Sequence, residues 1–285
     1  MSSDQNNKSI IEDIYTNASG IFNQRYIITE CIADGGMSVI FKVKDIYREY
    51  FNDNQGLVVK IPAKHLLEKE DIAAFLYSEY TFLRDIKHKN IVTVYDYGID
   101  NKTEIPFIVM EFLEGDLLNN VPVHKLNKLD KLFLFHTLLD TINHIHKNGI
   151  IHADITPNNI VLSENNHVTL FDFGISRTIE IVKEFSLDYQ QIKAYNPKYS
   201  APEILQGELP SFSSDLFSFA LVFYEIFSNT LPFKENSLEL QENPLRLSNC
   251  SNKIPLLLQN WFINVLVVNP KKRSRKLPVL YKIFG

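Results

Sequence analysis

The chain has 285 residues, 45% hydrophobic and 22% charged, with a net charge of −5. This is the composition of a folded protein with one large domain or two smaller lobes, and its negative charge argues against nucleic acid or an anionic membrane as main partner. Two cysteines, Cys31 and Cys250, exclude a disulfide scaffold, and no apolar run reaches the roughly 18 residues that a membrane span needs.

A reducing, cytoplasmic setting is therefore expected, with no membrane span and no nucleic-acid partner. Residues 1–24 are rich in Asn, Ser and acid and lack the apolar core of a signal peptide. They read as a flexible arm with room for one short helix around Ile10 to Tyr15. From Tyr26 two apolar runs flank ADGGMS, which predicts a hairpin with Gly35 and Gly36 at its tip. Glycine there lets the backbone come close to a partner. The next strand, GLVVKIP, carries Lys60 between Val59 and Ile61, an odd place for an ammonium group without a counter-charge.

Residues 66–87 repeat Ile72, Phe75, Leu76, Leu83 and Ile86 at helical spacing, with Glu79 on the apolar stripe. A carboxylate so placed needs a cation, and Lys60 is the nearest one unaccounted for. Two strands, IVTVYDYG and PFIVMEFL, come next. A helix over 128–148 follows, with Leu129, Leu132, Phe133, Leu138, Leu139, Ile142 and Ile145 covering most of its circumference, and Gly149 as its stop. Residues 150–162, IIHADITPNNIVL, then form a polar loop between short apolar strands. Its Asp154 and Asn159 suit proton acceptance and metal holding. VTLFDFG ends in Asp172. Residues 175–198 are a long polar loop closed by YSAPEIL, and Ser213 and Ser214 are N-cap candidates for a nearly all-apolar helix containing Asp215. Further helices follow Ile254, broken at Asn269-Pro270.

The order of ADGGMS, Lys60, Glu79, HADITPNN, DFG, APE, Asp215 and Arg273 resembles a eukaryotic-type protein kinase domain over about residues 25–284. GGMS especially resembles the Hanks-type Ser/Thr kinases of bacteria. The resemblance implies an α+β, bilobal protein-kinase-like fold. A small N-terminal antiparallel sheet with one main helix would fill about 25–110, a hinge 111–116, and a larger, mainly helical C-terminal lobe 117–285. It implies ATP with Mg²⁺, or Mn²⁺ in its place, and protein substrates phosphorylated on Ser or Thr, with autophosphorylation. By that resemblance the hairpin Ala33, Gly35, Gly36, Met37 and Ser38 covers the phosphates. Lys60, placed by Glu79, binds the α- and β-phosphates. Met110 is the gatekeeper, Glu111 and Leu113 offer backbone groups to adenine, and Ile40, Val58 and Val161 sandwich its ring. Asn159 and Asp172 hold the metal, and Asp154 takes the acceptor's proton. Asp215 anchors the catalytic loop, Glu203 and Arg273 pair, and His152 is a packed core residue beside Phe173.

The chain departs from that pattern at informative places. Ala33 and Ser38 replace two glycines. Ala153 stands where an Arg usually precedes the catalytic Asp, so phosphate on Thr178, Ser186 or Tyr189 has one cation fewer to order around. Thr156 replaces a Lys that contacts the γ-phosphate, so it sits in the catalytic set without that charge. Asn196 replaces a Thr bonded to that Lys, and could bond Thr156 or Asp154 instead. Thr156 and Asn196 also leave Ser/Thr versus Tyr preference open. Alternative functions are a pseudokinase that acts as a nucleotide-binding scaffold, supported by Ala33, Ala153 and Thr156, and a small-molecule kinase of related fold. The oligomeric state and substrate are not written in these residues.

Overall fold

The computed structural model describes residues 2–53, 55–178, 195–274, 276 and 278, with side chains from Lys8 onward. Ser186 and Tyr189, with the middle of the loop expected over 175–198, lie outside the described residues. The chain divides into two compact units, one holding residues up to Lys87 and Ile91–Glu114, the other holding His88–Asn90 and most of the chain from Gly115 onward.

The first unit contains α1 (Ser2–Asn17), β1 (Ile21–Phe22), β2 (Tyr26–Asp34), β3 (Ser38–Asp45), α2 (Ile46–Tyr50), β4 (Leu57–Pro62), α3 (Ile72–Asp85), β5 (Val94–Ile99) and β6 (Pro106–Glu111). Its six strands form an antiparallel sheet in the order β1-β2-β3-β4-β6-β5. Period-two alternation sends Val39, Phe41, Val43, Val59 and Ile61 to one face, where they join Phe22, Tyr26 and Phe107 in a core. β4 is buried at all six positions. A strand with one wet face would alternate instead.

The cover over that core is α1, and here the structure differs from the flexible arm expected over 1–24. Ile14 is 2% exposed within the core, and Ile10, Ile11, Tyr15 and Ala18 pack against it. These positions recur at three- and four-residue intervals, the stripe of an amphipathic helix. A lone helix of this length is marginal in water, so its order comes from the sheet it covers. Gly20 lets the chain turn beneath it, since a Cβ there would stand 2.9 Å from Ile14 Cγ1. Within 25–110 the one main helix expected is α3, and α1 adds a second long helix from the segment before it.

The second unit contains β7 (Asp116–Leu117), α4 (Lys128–Lys147), β8 (Ile150–Ile151), β9 (Ile160–Leu162), β10 (Val168–Leu170), β11 (Arg177–Thr178), α5 (Pro202–Leu205), α6 (Phe212–Ser228) and α7 (Leu256–Val265). Strands β10, β9 and β7 form a three-stranded sheet, and β11 pairs with β8. Helix α6 is buried almost all round, and Phe135 of α4 packs against its Phe219 and Phe223 and against Trp261 of α7. Ser211, not Ser213 or Ser214, is the N-cap of α6, in a capping box with Ser214. The buried stripe of α4 begins only at Leu134, which leaves Leu129 72% and Phe133 58% exposed, contrary to the expectation of burial. Lys131, buried on α4, donates from Nζ to the Ile226 carbonyl at 2.7 Å, which places a cation at the C-terminal turn of α6. Arg273 and Glu203 form the expected buried pair, two bonds of 2.5 Å each, and Arg273 also donates to the Ser213 carbonyl. Among the described residues no helix is long and apolar enough to cross a membrane.

Gly115 enters β7 with φ +132, and a Cβ there would lie 2.5 Å from the Leu162 carbonyl oxygen. Gly115→Ala should therefore destabilise the protein by at least about 2 kcal/mol in a urea titration, because both the conformation and the space exclude a side chain. An unchanged midpoint would contradict the close packing of β7 on β9.

Candidate active site

In the first unit the strand register sorts the candidate residues. Ala33 pairs with Ile40, Ile40 with Lys60 and Val58 with Met110. Directly opposed residues share a face, so Ala33, Ile40, Val58, Lys60 and Met110 all lie on the side away from α1. Glu79 of α3 reaches that side. Lys60 Nζ donates to Glu79 Oε1 at 2.6 Å and Oε2 at 2.8 Å, with 5% and 1% of the two side chains exposed. Burial of either charge alone would be costly, and each answers the other.

The hairpin between β2 and β3 is held at two points. Gly35 N–H donates to the Ser38 carbonyl and Ala63 N–H donates to the Met37 carbonyl, both at 3.0 Å. Neither Gly35 nor Gly36 has a left-handed φ, and a Cβ on Gly36 would meet nothing within 4 Å. The hairpin's own fold therefore does not demand glycine. The bare backbone suits close approach by an anion to the N–H groups.

At the other end of β6, Glu111 N–H is used by the Thr93 carbonyl and Phe112 N–H by the Gly56 carbonyl. The Glu111 carboxylate is itself engaged, accepting from Thr93 N–H at 2.6 Å. Leu113 N–H has no partner among the described residues. A ring nitrogen is the kind of acceptor it fits.

In the second unit the loop after β8 is suspended from α6. Asp215 accepts from His152 N–H at 2.8 Å through Oδ2 and from Ala153 N–H at 2.9 Å through Oδ1, while His146 Nε2 meets Oδ2 at 2.8 Å. Ala153 has φ +71, a conformation that costs an L-residue about 1–2 kcal/mol. Its N–H bond to a buried carboxylate offsets that strain. His152 is fully buried with its ring 4.6 Å from Phe173. Its Nδ1 accepts from Asp154 N–H and its Nε2 donates to the Phe171 carbonyl, both at 3.3 Å. Burial pushes its pKa down, so the ring is neutral, satisfied on both nitrogens and structural.

Asp154 follows at once. Asn159 Nδ2 donates to its Oδ2 at 2.7 Å and to its carbonyl at 2.9 Å. With the amide nitrogen turned to Asp154, the Asn159 carbonyl oxygen is the atom left for a cation. Burial, and next the Asp172 carboxylate, push the Asp154 pKa up to about 7, against the Asn159 bond, which lowers it. Asp172 has φ +62, a second left-handed residue beside the first set. The Asp154 and Asp172 carboxylates and the Asn159 amide oxygen are the kind of oxygen donors that a hard divalent ion takes. Among the described residues no three His, Cys, Asp or Glu side chains gather into a metal cage. Val161 lies buried on β9, opposite Leu117 and Thr169. Thr156 is buried and its side chain caps nothing.

One expected bond is replaced. Asn196 Oδ1 accepts from Lys198 N–H at 3.0 Å, closing its own turn, rather than bonding Thr156 or Asp154. An Asn two residues before an N–H makes that local turn readily.

Several supporting residues escaped the sequence. His146 shares the Asp215 carboxylate. Asn90 staples β10 through Nδ2 to the Val168 carbonyl at 2.6 Å and through its own carbonyl to Leu170 N–H at 2.9 Å. Lys198 and Tyr199 both bond Glu225 of α6, at 2.8 and 2.5 Å. Each is a polar side chain in a polar run, where only the partner, far along the chain, reveals the role.

A family model described as protein kinase domain matches residues 26–275. A probable serine/threonine-protein kinase of Clostridium perfringens is 27% identical over 261 residues, 89% of this chain and 37% of the relative. Serine/threonine-protein kinase PknB of Mycobacterium leprae is 28% identical over 88% of this chain and 41% of its own length. Serine/threonine-protein kinase PrkC of Bacillus subtilis is 25% identical over 87% and 38%. The chain thus spans about two-fifths of the length of these relatives.

The Lys60–Glu79 pair makes a prediction about stability. Lys60→Met removes the cation bonded to a buried carboxylate and should cost about 3–5 kcal/mol in urea unfolding, whereas the apolar double variant Lys60→Met/Glu79→Leu should recover most of that loss. A single variant as stable as the wild type would show that the pair is not desolvated.

Proposed function

The chain belongs to the protein kinase domain family, and from that premise we propose that it is a Mg·ATP-dependent protein kinase that transfers the γ-phosphoryl group to Ser or Thr hydroxyls, its own included. The observation that carries the reading is the pairing of Asp154 with Asn159 at 2.7 Å on a loop hung from Asp215. It holds a base and a metal ligand in fixed relation before any ligand arrives. The relatives' names supply the Ser/Thr preference.

The roles follow from the chemistry of each group. Lys60 holds the α- and β-phosphates, and Glu79 fixes the direction of its ammonium group. The Gly35-Gly36-Met37 backbone closes over the phosphates, with the Gly36 and Met37 N–H groups as donors while the Gly35 N–H holds the turn through the Ser38 carbonyl, and Ala33 and Ser38 are small enough to permit it. The Leu113 and Glu111 backbone takes the adenine edge, and Ile40, Val58, Val161 and the gatekeeper Met110 are the apolar groups offered to its ring. Asn159 and Asp172 hold Mg²⁺, or Mn²⁺ in its place. Bound there, the ion neutralises charge on the transferred phosphoryl group. Asp154 orients the acceptor hydroxyl and takes its proton, a task for which a carboxylate of raised proton affinity is suited near neutral pH. Thr156 brings no cation to the γ-phosphate, so turnover is slow. The partner is a protein segment presenting a hydroxyl. Cys31 and Cys250 are both free, which suits a reducing, cytoplasmic setting.

A pseudokinase scaffold is the second reading, favoured by Ala33, Ala153 and Thr156. Incubation with γ-labelled ATP, Mg²⁺ and a generic protein substrate separates the two. Wild type should place label on phosphoserine or phosphothreonine, while Asp154→Asn and chelation of the metal should each remove it. Nucleotide-induced thermal stabilisation without any transfer would instead establish the scaffold.

Ala153 yields a second expectation. Alanine at Thr178, Ser186 and Tyr189 together should change the rate by less than an order of magnitude, since the arginine that would gather a phosphate there is missing. A loss of several orders in the same assay would show that loop phosphorylation switches the enzyme.

A further inference from the structure

Helix α1 precedes the residues that match the kinase family, yet it ends on the segment that carries the phosphate-binding groups. Three successive residues after Lys60 and Ile61 are each tied. Tyr15 Oη donates to the Pro62 carbonyl at 2.7 Å. Ala63 N–H donates to the Met37 carbonyl at the hairpin tip at 3.0 Å. Lys64 pairs with Glu12, one turn before Tyr15 on α1. Residues 62–64 are thus strung between α1 on one side and the hairpin on the other.

The geometry around Tyr15 supports a specific use for this arrangement. Ile14, its neighbour, is locked in the core, so the helix cannot rotate or slide without opening a cavity. Burial, and next the Asp34 carboxylate at the entry to the hairpin, push the Tyr15 phenol up, so the hydroxyl keeps its proton and donates. Asp34 immediately precedes Gly35. Tyr15 is thus bonded to Pro62 at the end of β4 and feels the charge of Asp34 at the end of β2, the strand that leads into the hairpin. The hairpin itself has few internal ties, the Gly35–Ser38 bond among them, and it bears Ala33 and Ser38 where two further glycines are usual.

We propose that Tyr15 is a positioning residue for nucleotide binding, and that α1 acts through it to hold the end of β4 where Ala63 can fix the phosphate-covering hairpin and Lys60 can meet the phosphates. The inference rests on the kinase reading and adds to it an element outside the matched domain. A helix seated in this way pre-pays the ordering of the hairpin, and that ordering would otherwise be subtracted from ATP affinity.

Tyr15→Phe tests it, because it removes one hydroxyl and keeps the packed ring. Mg·ATP affinity is measured by titration calorimetry on the full chain, alongside KM for ATP, kcat and melting temperature. The expected result is a rise of about 3–10-fold in both Kd and KM for ATP, the range that one hydrogen bond supports, with kcat unchanged and the melting temperature lowered by no more than about 4 °C. Glu12→Gln, at the exposed pair, should leave both constants unchanged, since exposed ion pairs contribute little. If Tyr15→Phe binds Mg·ATP as tightly as a wild type that itself binds it, the inference falls alone. A fall in kcat and melting temperature with KM unchanged also overturns it, since that is the signature of a merely structural bond. Failure of the wild type to bind Mg·ATP removes the kinase reading and this inference together.

Discussion

One carboxylate organises the second unit. Asp215 accepts from the His152 and Ala153 N–H groups and from His146, all within 2.9 Å. Its helix, α6, is the most enclosed helix of the unit, so the loop inherits the rigidity of the core. Bonds from N–H groups to a charged acceptor are worth about 1.5–3 kcal/mol each, against about 1–2 kcal/mol for the left-handed Ala153, so the clasp outweighs the strain it imposes. Everything chemical in this unit hangs from that balance. Ala153 turns the chain, Asp154 follows on the far side of the turn, and Asn159 closes back on it.

Buried charge is managed differently in the two units. In the first, Lys60 and Glu79 satisfy each other, and Glu79 fixes the direction of an ammonium group that would otherwise be a flexible point charge. In the second, Glu203 and Arg273 do the same for structure alone, fastening the APE turn to the start of α6 through Ser213. Asp154 differs from both pairs, because burial and the neighbouring Asp172 carboxylate raise its proton affinity. Ion pairs that are closed serve the fold.

Residues with an incongruous charge were legible in the sequence. Lys60 between Val59 and Ile61 and Glu79 on an apolar stripe each announced a missing partner, and they pair with each other, whereas the anchoring by Asp215 was implied only by the family resemblance. Strand alternation around β2, β3 and β4 was legible for the same reason, since each residue's neighbours set its face. Helix α1 was not, because its five apolar positions are spread through a polar segment and gain meaning only from the sheet that they cover. Leu129 and Phe133 misled in the opposite direction: helical spacing shows a stripe but not where the protein ends above it. Ser211 was missed as a cap because Ser213 and Ser214 offered the same chemistry nearer to Asp215. Asn196 bonded locally, where an expectation drawn from a family pattern looked for a distant partner.

The claim that the loop is preorganised by Asp215 is tested most directly by native-state hydrogen exchange at the His152 and Ala153 amides, in wild type and in Asp215→Asn. Both amides should be protected in the wild type to the level of the α6 core, and both should lose that protection together in the variant while the amides of β4 keep theirs. Exchange of the two wild-type amides at the rate of an open loop would contradict the account, and Asp154 would then have no fixed position from which to act.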